Sequence, residues 1–262
     1  LEEAKRGIAT AKEENVDVIL PIGGGSTIDC AKLIAAGSKT EGDPWDIVLG
    51  KVDVKEALPI AVVLTVAATG SEMDPDSVIS NPETKQKLGW ASNKVLPRVS
   101  YLNPTFTYSV NAWHTAAGTA DIMSHTMENY FSVDDSAFLQ DSMAEAILRT
   151  CIKYGPIALE EPENEEARAN LMWANSWAIN GLLCTGKTQS WSVHAMEHEL
   201  SAYYDITHGV GLAILTPHWL RHFMNDQTMP RLARFAERVF DIHKDSLEEQ
   251  AEAGIQALSD FF

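Results

Sequence analysis

The sequence predicts an α/β layer up to about residue 103 and an all-helical region from residue 104 onward. In the first region, short apolar, β-branched segments alternate with segments of helical periodicity, which is typical of a parallel α/β layer. After Pro104 only helical periodicity remains. Of the 262 residues, 45% are hydrophobic and 22% are charged, so the chain has the composition of a soluble globular protein and extended disorder is excluded.

The α/β region is predicted to begin with an amphipathic helix and to continue with alternating strands and helices. A helix is predicted after a glycine-rich turn, and a strand pair is predicted around the turn at Asn81-Pro82. The predicted helices are Leu1–Glu14 and Ser26–Gly37. The predicted strands are Val16–Ile22, Leu58–Thr65, Val78–Ser80, Lys87–Trp90 and Val99–Leu102.

The second region contains six segments of helical periodicity joined by short loops, several with Gly or Pro. We therefore predict two domains, residues 1–103 and 104–262. Because the chain begins within a helix and ends on the uncapped apolar segment Asp260–Phe262, we expect a fragment that lacks the N-terminal part of the first domain and the C-terminal part of the second. The predicted helices are Trp113–Tyr130, Ala137–Tyr154, Glu165–Gly181, Gln189–Tyr203, Gly209–Asn225 and Met229–Phe240.

Charge and cysteine content exclude several classes of partner. Lys and Arg number 20 against 37 Asp and Glu, which gives a formal net charge of −17, and such a surface repels nucleic acids and anionic membranes. No apolar run reaches the roughly 18–20 residues of a membrane helix. Cys30, Cys151 and Cys184 are far apart and form no CxxC pair, which predicts a reducing, cytoplasmic location.

A glycine-rich turn follows the first predicted strand. Gly23, Gly24 and Gly25 precede Ser26, and Asp29 opens the predicted helix. Glycines allow a ligand to approach the backbone, and the amides of a helix N-terminus favour a pyrophosphate. The segment matches neither G-x-G-x-x-G nor a P-loop. Two interpretations therefore stay open, a phosphate-binding turn with Ser26 as helix cap and hydrogen-bond donor, or a tight strand-to-helix connection.

A second polar stretch, with hydroxyls at Thr65, Thr69 and Ser71, follows the next buried strand. Ligands of α/β sheets bind outside the carboxyl ends of the strands. The stretch is thus compatible with a ligand contact, although an ordinary polar loop is the favoured explanation when the stretch is taken alone.

Histidine and aspartate residues cluster in three helical segments. Asp121 and His125 are four residues apart, as are His194 and His198, and His208 follows after a short loop. Residues at this spacing share one helix face. One carboxylate and three imidazoles can hold Fe, Zn, Co or Ni while leaving a coordination position open. A divalent metal site is therefore predicted, whereas His114, His218, His222 and His243 are interpreted as structural or surface residues.

The same segment offers a competing interpretation. Residues 194–198 match the pattern H-x-x-E-H of inverted zincins, in which His194 and His198 would bind zinc and Glu197 would act as general base. A peptidase would leave the glycine turn, Asp121 and His125 without a role.

The ordered set of motifs resembles the iron-containing (group III) alcohol dehydrogenases, specifically the NADP-preferring, butanol dehydrogenase-like branch. The resemblance runs over nearly the whole chain. It implies a dehydroquinate synthase-like fold, with an N-terminal α/β dinucleotide-binding domain and an all-α C-terminal metal-binding domain. The matching segments are Leu20–Lys32, Leu64–Glu72, Gly118–Glu128, Glu161–Trp173 and His194–Gly209.

The resemblance implies roles for individual residues. The metal ligands would be Asp121, His125, His194 and His208, with iron as the metal, and His198 would lie near the nicotinamide and substrate without binding the metal. NADP(H) is implied in preference to NAD(H), together with a cytoplasmic homodimer. The implied cofactor contacts are Gly23, Gly24, Gly25, Ser26, Asp29, Thr65, Thr69, Ser71 and Lys87.

These residues predict a metal-dependent NAD(P)(H) oxidoreductase that interconverts small primary alcohols and aldehydes by hydride transfer. His198 is the candidate proton relay, and Trp191 either lines the pocket or packs the helix. Three alternatives remain, a glycerol dehydrogenase- or dehydroquinate synthase-like enzyme, the zinc peptidase, and an inactive fragment that binds metal and nucleotide.

Overall fold

The computed structural model describes residues 1–132 and 136–262. It confirms the predicted fold class, since every described strand lies before residue 102 and the described elements from Pro104 onward are helical. In chain order the elements are α1 (Glu2–Glu13), β1 (Ile22–Gly23), α2 (Gly25–Gly37), α3 (Pro44–Val48), β2 (Ala61–Leu64), β3 (Asp76–Asn81), β4 (Gln86–Ala91), β5 (Val99–Tyr101), a 3₁₀ turn (Pro104–Thr107), α4 (Ala112–Tyr130), α5 (Phe138–Glu160), α6 (Glu165–Ile179), α7 (Ser192–Tyr204), α8 (His208–Phe223), α9 (Met229–Phe240) and α10 (Leu247–Phe261).

The strands form two small sheets. Strands β1, β2 and β5 are parallel in that order, with Ile22 opposite Val63 and Val63 opposite Tyr101. Strands β3 and β4 form the predicted antiparallel pair, in which Ile79 faces Leu88. Parallel strands joined through helices are the expected arrangement for the alternating pattern of the first hundred residues.

The prediction of a short buried strand over residues 16–22 is wrong. Only Ile22 and Gly23 form a strand, with a single bridge from Ile19 to Ile60. Val18, Leu20 and Ile22 are about half exposed or more, because β1 is an edge strand that pairs only with β2 among the described residues. The β-branched composition indicated a strand correctly, but burial depends on neighbours that composition does not reveal.

The buried apolar residues form two clusters. One lies between the sheet, α1 and α2 in the first hundred residues, joined by Met172 of α6. The other lies among the helices from α4 to α10. Phe261 and Phe262 pack against this second cluster, so the apolar end of α10 contributes to the helical core. The predicted helix ends differ from the observed ones by up to six residues, and the short helix α3 and the helix α10 were not predicted.

In the part of the chain that the structure describes, no helix is long and apolar enough to cross a membrane. Cys30, Cys151 and Cys184 are all free thiols.

Candidate functional site

Helix α4 carries the first pair of predicted ligands. Asn111 accepts a hydrogen bond from the amide of His114 and so caps the helix, and from Thr115 to Tyr130 all but one of its residues are buried. Asp121 and His125 lie one turn apart, with 3.6 Å between Asp121 Oδ1 and His125 Nδ1. Both side chains therefore point into the helical core, where polar groups require partners.

Helices α7 and α8 bring two further histidines to the same carboxylate. The Nε2 atoms of His194 and His208 each lie 3.7 Å from Asp121 Oδ1. The ligand atoms of these three residues all lie within 4.8 Å of one another. His125 approaches through Nδ1, and its ring stacks on that of His194 with 4.5 Å between the centroids. The structure thus brings the four predicted ligands together from three helices.

The position of His208 depends on the glycine that follows it. A Cβ on Gly209 would stand 2.6 Å from the carbonyl carbon of Ala117 in α4 and closer still to its oxygen. The absent side chain lets the first turn of α8 rest against the backbone of α4. His208 is thereby held beside Asp121, so a small residue at 209 is a structural condition of the site.

Several polar atoms at this site lack hydrogen-bond partners among the described residues. They are Asp121 Oδ1, His125 Nδ1 and His194 Nε2, all on residues that are at most 7% exposed. Buried polar atoms normally find a partner, since leaving one unsatisfied costs about 1–3 kcal/mol. Three such atoms facing one point fit a divalent cation, which imidazole and carboxylate ligands bind well.

Burial and neighbouring charges shift the pKa values of the residues at this site. Burial alone would raise the pKa of Asp121, but His125, His208 and His194 hold that pKa well below the ordinary value of a carboxyl. Burial lowers the pKa of His125 to about 3. Burial also opposes the charged form of His194, but the carboxylates of Asp121 and Glu128 raise its pKa to about 9. The carboxylate at the centre is therefore ionised, as a metal ligand must be.

Two glutamates bind the outward-facing nitrogens of the histidines. Glu128 accepts a 2.7 Å hydrogen bond from the amide of Val193 and contacts His194 Nδ1. Glu197 contacts His208 Nδ1 in the same way. Carboxylates that accept from the second ring nitrogen are typical of metal-binding histidines. Sequence reasoning missed Glu128, although its place seven residues after Asp121 puts it on the same helix face.

His198 lies beside this group and is half-buried. Its ring centroid is 5.5 Å from that of His208 and 6.4 Å from that of His194. Burial and the nearby Lys87 ammonium lower the pKa of His198 to about 3. Ligand atoms of His198, Glu197 and His208 lie within 4.8 Å of one another, but His198 does not belong to the group around Asp121.

Lys87, predicted to contact the cofactor, lies at the histidine cluster. It stands on β4, and its Nζ is 3.1 Å from Glu197 Oε2 and 3.1 Å from His208 Nδ1. The strand pair β3–β4 thus extends from the α/β region to helix α7. A role at the glycine turn is not supported by this position, whereas a role near the reacting end of a bound dinucleotide is compatible with it.

The glycine turn leads into the start of α2, with Gly23 and Gly24 half-buried and Gly25 buried. The helix begins at Gly25 with Gly24 as N-cap, so the predictions that the helix starts at Ser26 and that Ser26 caps it are wrong. Ser26 lies exposed in the first turn, because the backbone of Gly24 already has the extended geometry of a cap. The first amides of a helix have no internal acceptor and can bind an anion.

The glycines also permit a close approach between chain segments. A Cβ on Gly25 would lie 2.8 Å from Thr69 Cβ, and one on Gly23 would lie 2.7 Å from Thr27 Cβ. Thr65 and Thr69 are half-buried beside the turn, and the amide of Thr65 donates to the carbonyl of Gly23. The two polar segments singled out in the sequence therefore adjoin in space.

Two of the predicted cofactor contacts point into the protein. Ser71 Oγ donates to Asp29 Oδ1 at 2.6 Å, and the other carboxylate oxygen of Asp29 accepts from the amide of Val78. Ser71 is only 2% exposed and Asp29 8%. Burial raises the pKa of Asp29. Their side chains join α2 to the segment after β2 and to β3, so the expectation of direct cofactor contacts by these two side chains is not supported.

A separate apolar groove of about 630 Å³ lies between α4, α5, α8 and the end of α10. Trp113, Leu159, Ile214 and Phe262 are among the residues that line it. None of the predicted metal or cofactor residues does, so the groove is distinct from the histidine cluster.

Comparison with known protein families gives two matches. Residues 1–104 match the family described as iron-containing alcohol dehydrogenase, and residues 115–262 match the C-terminal region of the Fe-containing alcohol dehydrogenase family. Together these segments cover almost the whole chain.

Individual relatives agree with the family match. NADH-dependent butanol dehydrogenase B of Clostridium acetobutylicum is 56% identical over 259 residues, which are 98% of this chain and 66% of the relative. NADPH-dependent aldehyde reductase YqhD of Escherichia coli is 39% identical over 100% of this chain and 68% of the relative. The solved structure of NADH-dependent butanol dehydrogenase A from Thermotoga maritima superposes with a TM-score of 0.95 at 38% identity, over 98% of this chain and 64% of that one. The chain therefore spans about two thirds of the length of these relatives.

Proposed function

We propose that this chain, which belongs to the iron-containing alcohol dehydrogenase family, forms the metal and nucleotide sites of an NAD(P)(H)-dependent oxidoreductase that interconverts small primary alcohols and aldehydes. One observation carries the proposal. Ligand atoms of Asp121 and His194 that have no hydrogen-bond partner among the described residues meet at one buried point, and Nε2 of His208 lies there with them. The names of the relatives support the substrate class.

Asp121, His194 and His208 would hold the metal, and Nδ1 of His125, which has no hydrogen-bond partner among the described residues, would complete the set. A divalent metal at this point would supply a Lewis acid that polarises a carbonyl and lowers the pKa of an alcohol. Iron is proposed from the family name, and the donor set suits Zn, Co and Ni as well. Trp191 lies edge-on to the rings of His125 and His194, with centroids 6.0 and 5.3 Å away, and thereby helps to exclude water.

The dinucleotide would be bound by the glycine turn and the adjacent hydroxyls. The amides at the start of α2 would face the pyrophosphate, with Ser26, Thr65 and Thr69 as hydroxyl donors. A preference for NADP(H) stays a prediction, because relatives at 56% and 57% identity are named as NADH-dependent and one at 39% as NADPH-dependent.

His198 is proposed to hold or transfer the proton of the substrate oxygen. It lies next to the ligand cluster without belonging to the group around Asp121. A neutral imidazole can accept a proton from an alcohol and return it.

The peptidase interpretation conflicts with the position of Glu197. The side chain of Glu197 is fully buried and ion-paired with Lys87, so it cannot activate a water molecule for attack on a peptide. His194 also groups with Asp121 and His208, and not with His198. A glycerol dehydrogenase- or dehydroquinate synthase-like activity uses the same architecture and remains the second candidate.

The test compares this chain with a version extended at both ends to the length of its relatives. Each is loaded with Fe²⁺ or Zn²⁺ and assayed for oxidation of NADPH and NADH with butanal, for reduction of NADP⁺ and NAD⁺ with glycerol and, without nucleotide, for cleavage of a peptide. Reduction of butanal by the extended protein is expected. Activity confined to polyols or to peptides would overturn the proposal, and inactivity of this chain alone would identify it as a binding fragment.

A further inference from the structure

Glu197 is enclosed by hydrogen-bond donors. Its Oε2 accepts from Lys87 Nζ at 3.1 Å and contacts His208 Nδ1, and its Oε1 contacts Ser201 Oγ. The side chain is 0% exposed. A Cβ on Gly211 would lie 2.8 Å from Glu197 Cγ, so helix α8 packs directly against this carboxylate.

We propose that Glu197 is a positioning residue that keeps the proton of His208 on Nδ1, so that the lone pair of Nε2 points toward Asp121 and is available to a metal. This inference rests on the metal site of the proposed function and adds a residue to it. A neutral imidazole carries its proton on only one of its two nitrogens. A hydrogen-bond acceptor at one nitrogen keeps the proton there and leaves the lone pair of the other nitrogen free.

Lys87 would change the protonation of His208 if the carboxylate of Glu197 were absent. Its Nζ lies 3.1 Å from the same Nδ1 atom of His208, and an ammonium can only donate. While the carboxylate is present it accepts from both His208 and Lys87. Without the carboxylate, the ammonium would donate to Nδ1 and the ring proton would move to Nε2. That nitrogen would then face Asp121 with a hydrogen and could not bind a metal.

The arrangement predicts different effects for two substitutions. Glu197→Ala removes the acceptor and leaves Lys87 beside His208. Glu197→Gln retains an oxygen toward His208 and Lys87. Its amide group can donate to Ser201 Oγ, because the hydroxyl of Ser201 can itself donate to the carbonyl of Ile206, which lies 3.1 Å away. The amide therefore preserves much of the geometry but loses the negative charge.

The first test reads the tautomer of His208 directly in metal-free protein by ¹⁵N–¹H NMR, with the signal assigned from a His208→Gln variant. The wild type is expected to carry the proton on Nδ1, and Glu197→Ala on Nε2. The double variant Glu197→Ala/Lys87→Met should return toward the Nδ1 form or a mixture. An unchanged tautomer in Glu197→Ala would overturn the inference.

The second test measures affinity for Zn²⁺ by competition with a chromogenic chelator, and the visible absorption bands of bound Co²⁺. Glu197→Ala should bind about 10–100-fold more weakly, as is typical when an outer partner of a ligand is lost, and should alter the Co²⁺ bands. Glu197→Gln should lose less, and the double variant should recover part of the loss. The control Glu72→Gln changes a buried carboxylate that contacts Asn175 and Ser176 and no histidine, and it should bind as the wild type does.

The outcomes separate this inference from the proposed function. If Glu197→Ala binds metal as tightly as the wild type, or if removing Lys87 restores nothing, the positioning role is wrong while the dehydrogenase proposal stands. If the Glu197 variants weaken metal binding as expected but the extended wild-type protein reduces no aldehyde, the proposed function is wrong and the positioning role stands.

Discussion

Replacement of Gly209 by alanine should weaken metal binding although residue 209 contacts no metal. The added Cβ would stand 2.6 Å from the carbonyl carbon of Ala117 and closer still to its oxygen, so restoring ordinary contacts of about 3.4 Å requires a shift of about 1 Å or more. The obstructing atoms belong to the backbone of buried helix α4, so the start of α8 must move instead. His208 is the adjacent residue and moves with it.

A displacement near 1 Å is large for a coordination site. Metal–ligand distances are held within a few tenths of an ångström, and a misplacement of about 1 Å can cost roughly 10²-fold in function. We therefore expect Gly209→Ala to bind Zn²⁺ about 10–100-fold more weakly. Overpacking should also lower the free energy of unfolding by about 1–3 kcal/mol.

Two glycines provide matched controls. A Cβ on Gly89 meets nothing closer than Val78 Cγ2 at 3.9 Å, so Gly89→Ala should be neutral. A Cβ on Gly254 would lie 2.6 Å from Ala236 Cβ in the packing of α9 and α10, so Gly254→Ala should lower stability but not metal affinity. Chelator competition and urea denaturation are measured for all three variants. If Gly209→Ala and Gly254→Ala lose stability equally and both retain wild-type affinity, the reasoning is refuted.

Three further predictions follow from burial. His194→Ala should lose most of its bound metal in elemental analysis, whereas the exposed His114→Ala should retain it; equal metal in both would contradict the ligand assignment. Cys151 is fully buried and burial raises its pKa to about 12, so iodoacetamide should label it only after unfolding, and labelling of the native protein would contradict this. Above about pH 8, Lys32→Met should cost about 3–5 kcal/mol of unfolding free energy, because Lys32 Nζ lies 2.8 Å from buried Asp74 and its loss leaves that carboxylate unpaired. Burial raises the pKa of Asp74 to about 8 although Lys32 lowers it. In the variant that pKa lies higher still, so the carboxyl becomes neutral and the defect should shrink as pH falls toward 8; a defect independent of pH would argue against this.

The fold class could be predicted because its signals are local. The change from short β-branched segments to helical periodicity marks the end of the last strand, and the turn at Asn81-Pro82 marks the strand pair β3–β4. Burial of the first strand could not be predicted, since Val18 and Leu20 are apolar yet about half exposed. Their exposure depends on which strands lie beside β1, and that is a property of the sheet.

The ligand residues could be selected because residues four apart share a helix face, as Asp121 and His125 do. The clustering of histidines already included His208, but the choice of His208 over His198 as a proposed ligand came from the resemblance to a family, since no spacing indicates that α8 rests on α4. The buried roles of Asp29 and Ser71 were missed for a related reason. Both lie at positions typical of cofactor contacts, but the bond between them joins segments 42 residues apart.

Residues proposed to orient the metal ligands are harder to find in a sequence than the proposed ligands themselves. Glu128 contacts a histidine 66 residues away, and Lys87 reaches Glu197 across 110 residues. Glu197 even fell within a motif that suggested a different chemistry, because H-x-x-E-H places a glutamate beside two histidines whatever its side chain does. Burial favours the second interpretation: a general base must meet water, whereas the carboxylate of Glu197 is enclosed by a lysine, a serine and a histidine, in keeping with the proposed positioning role.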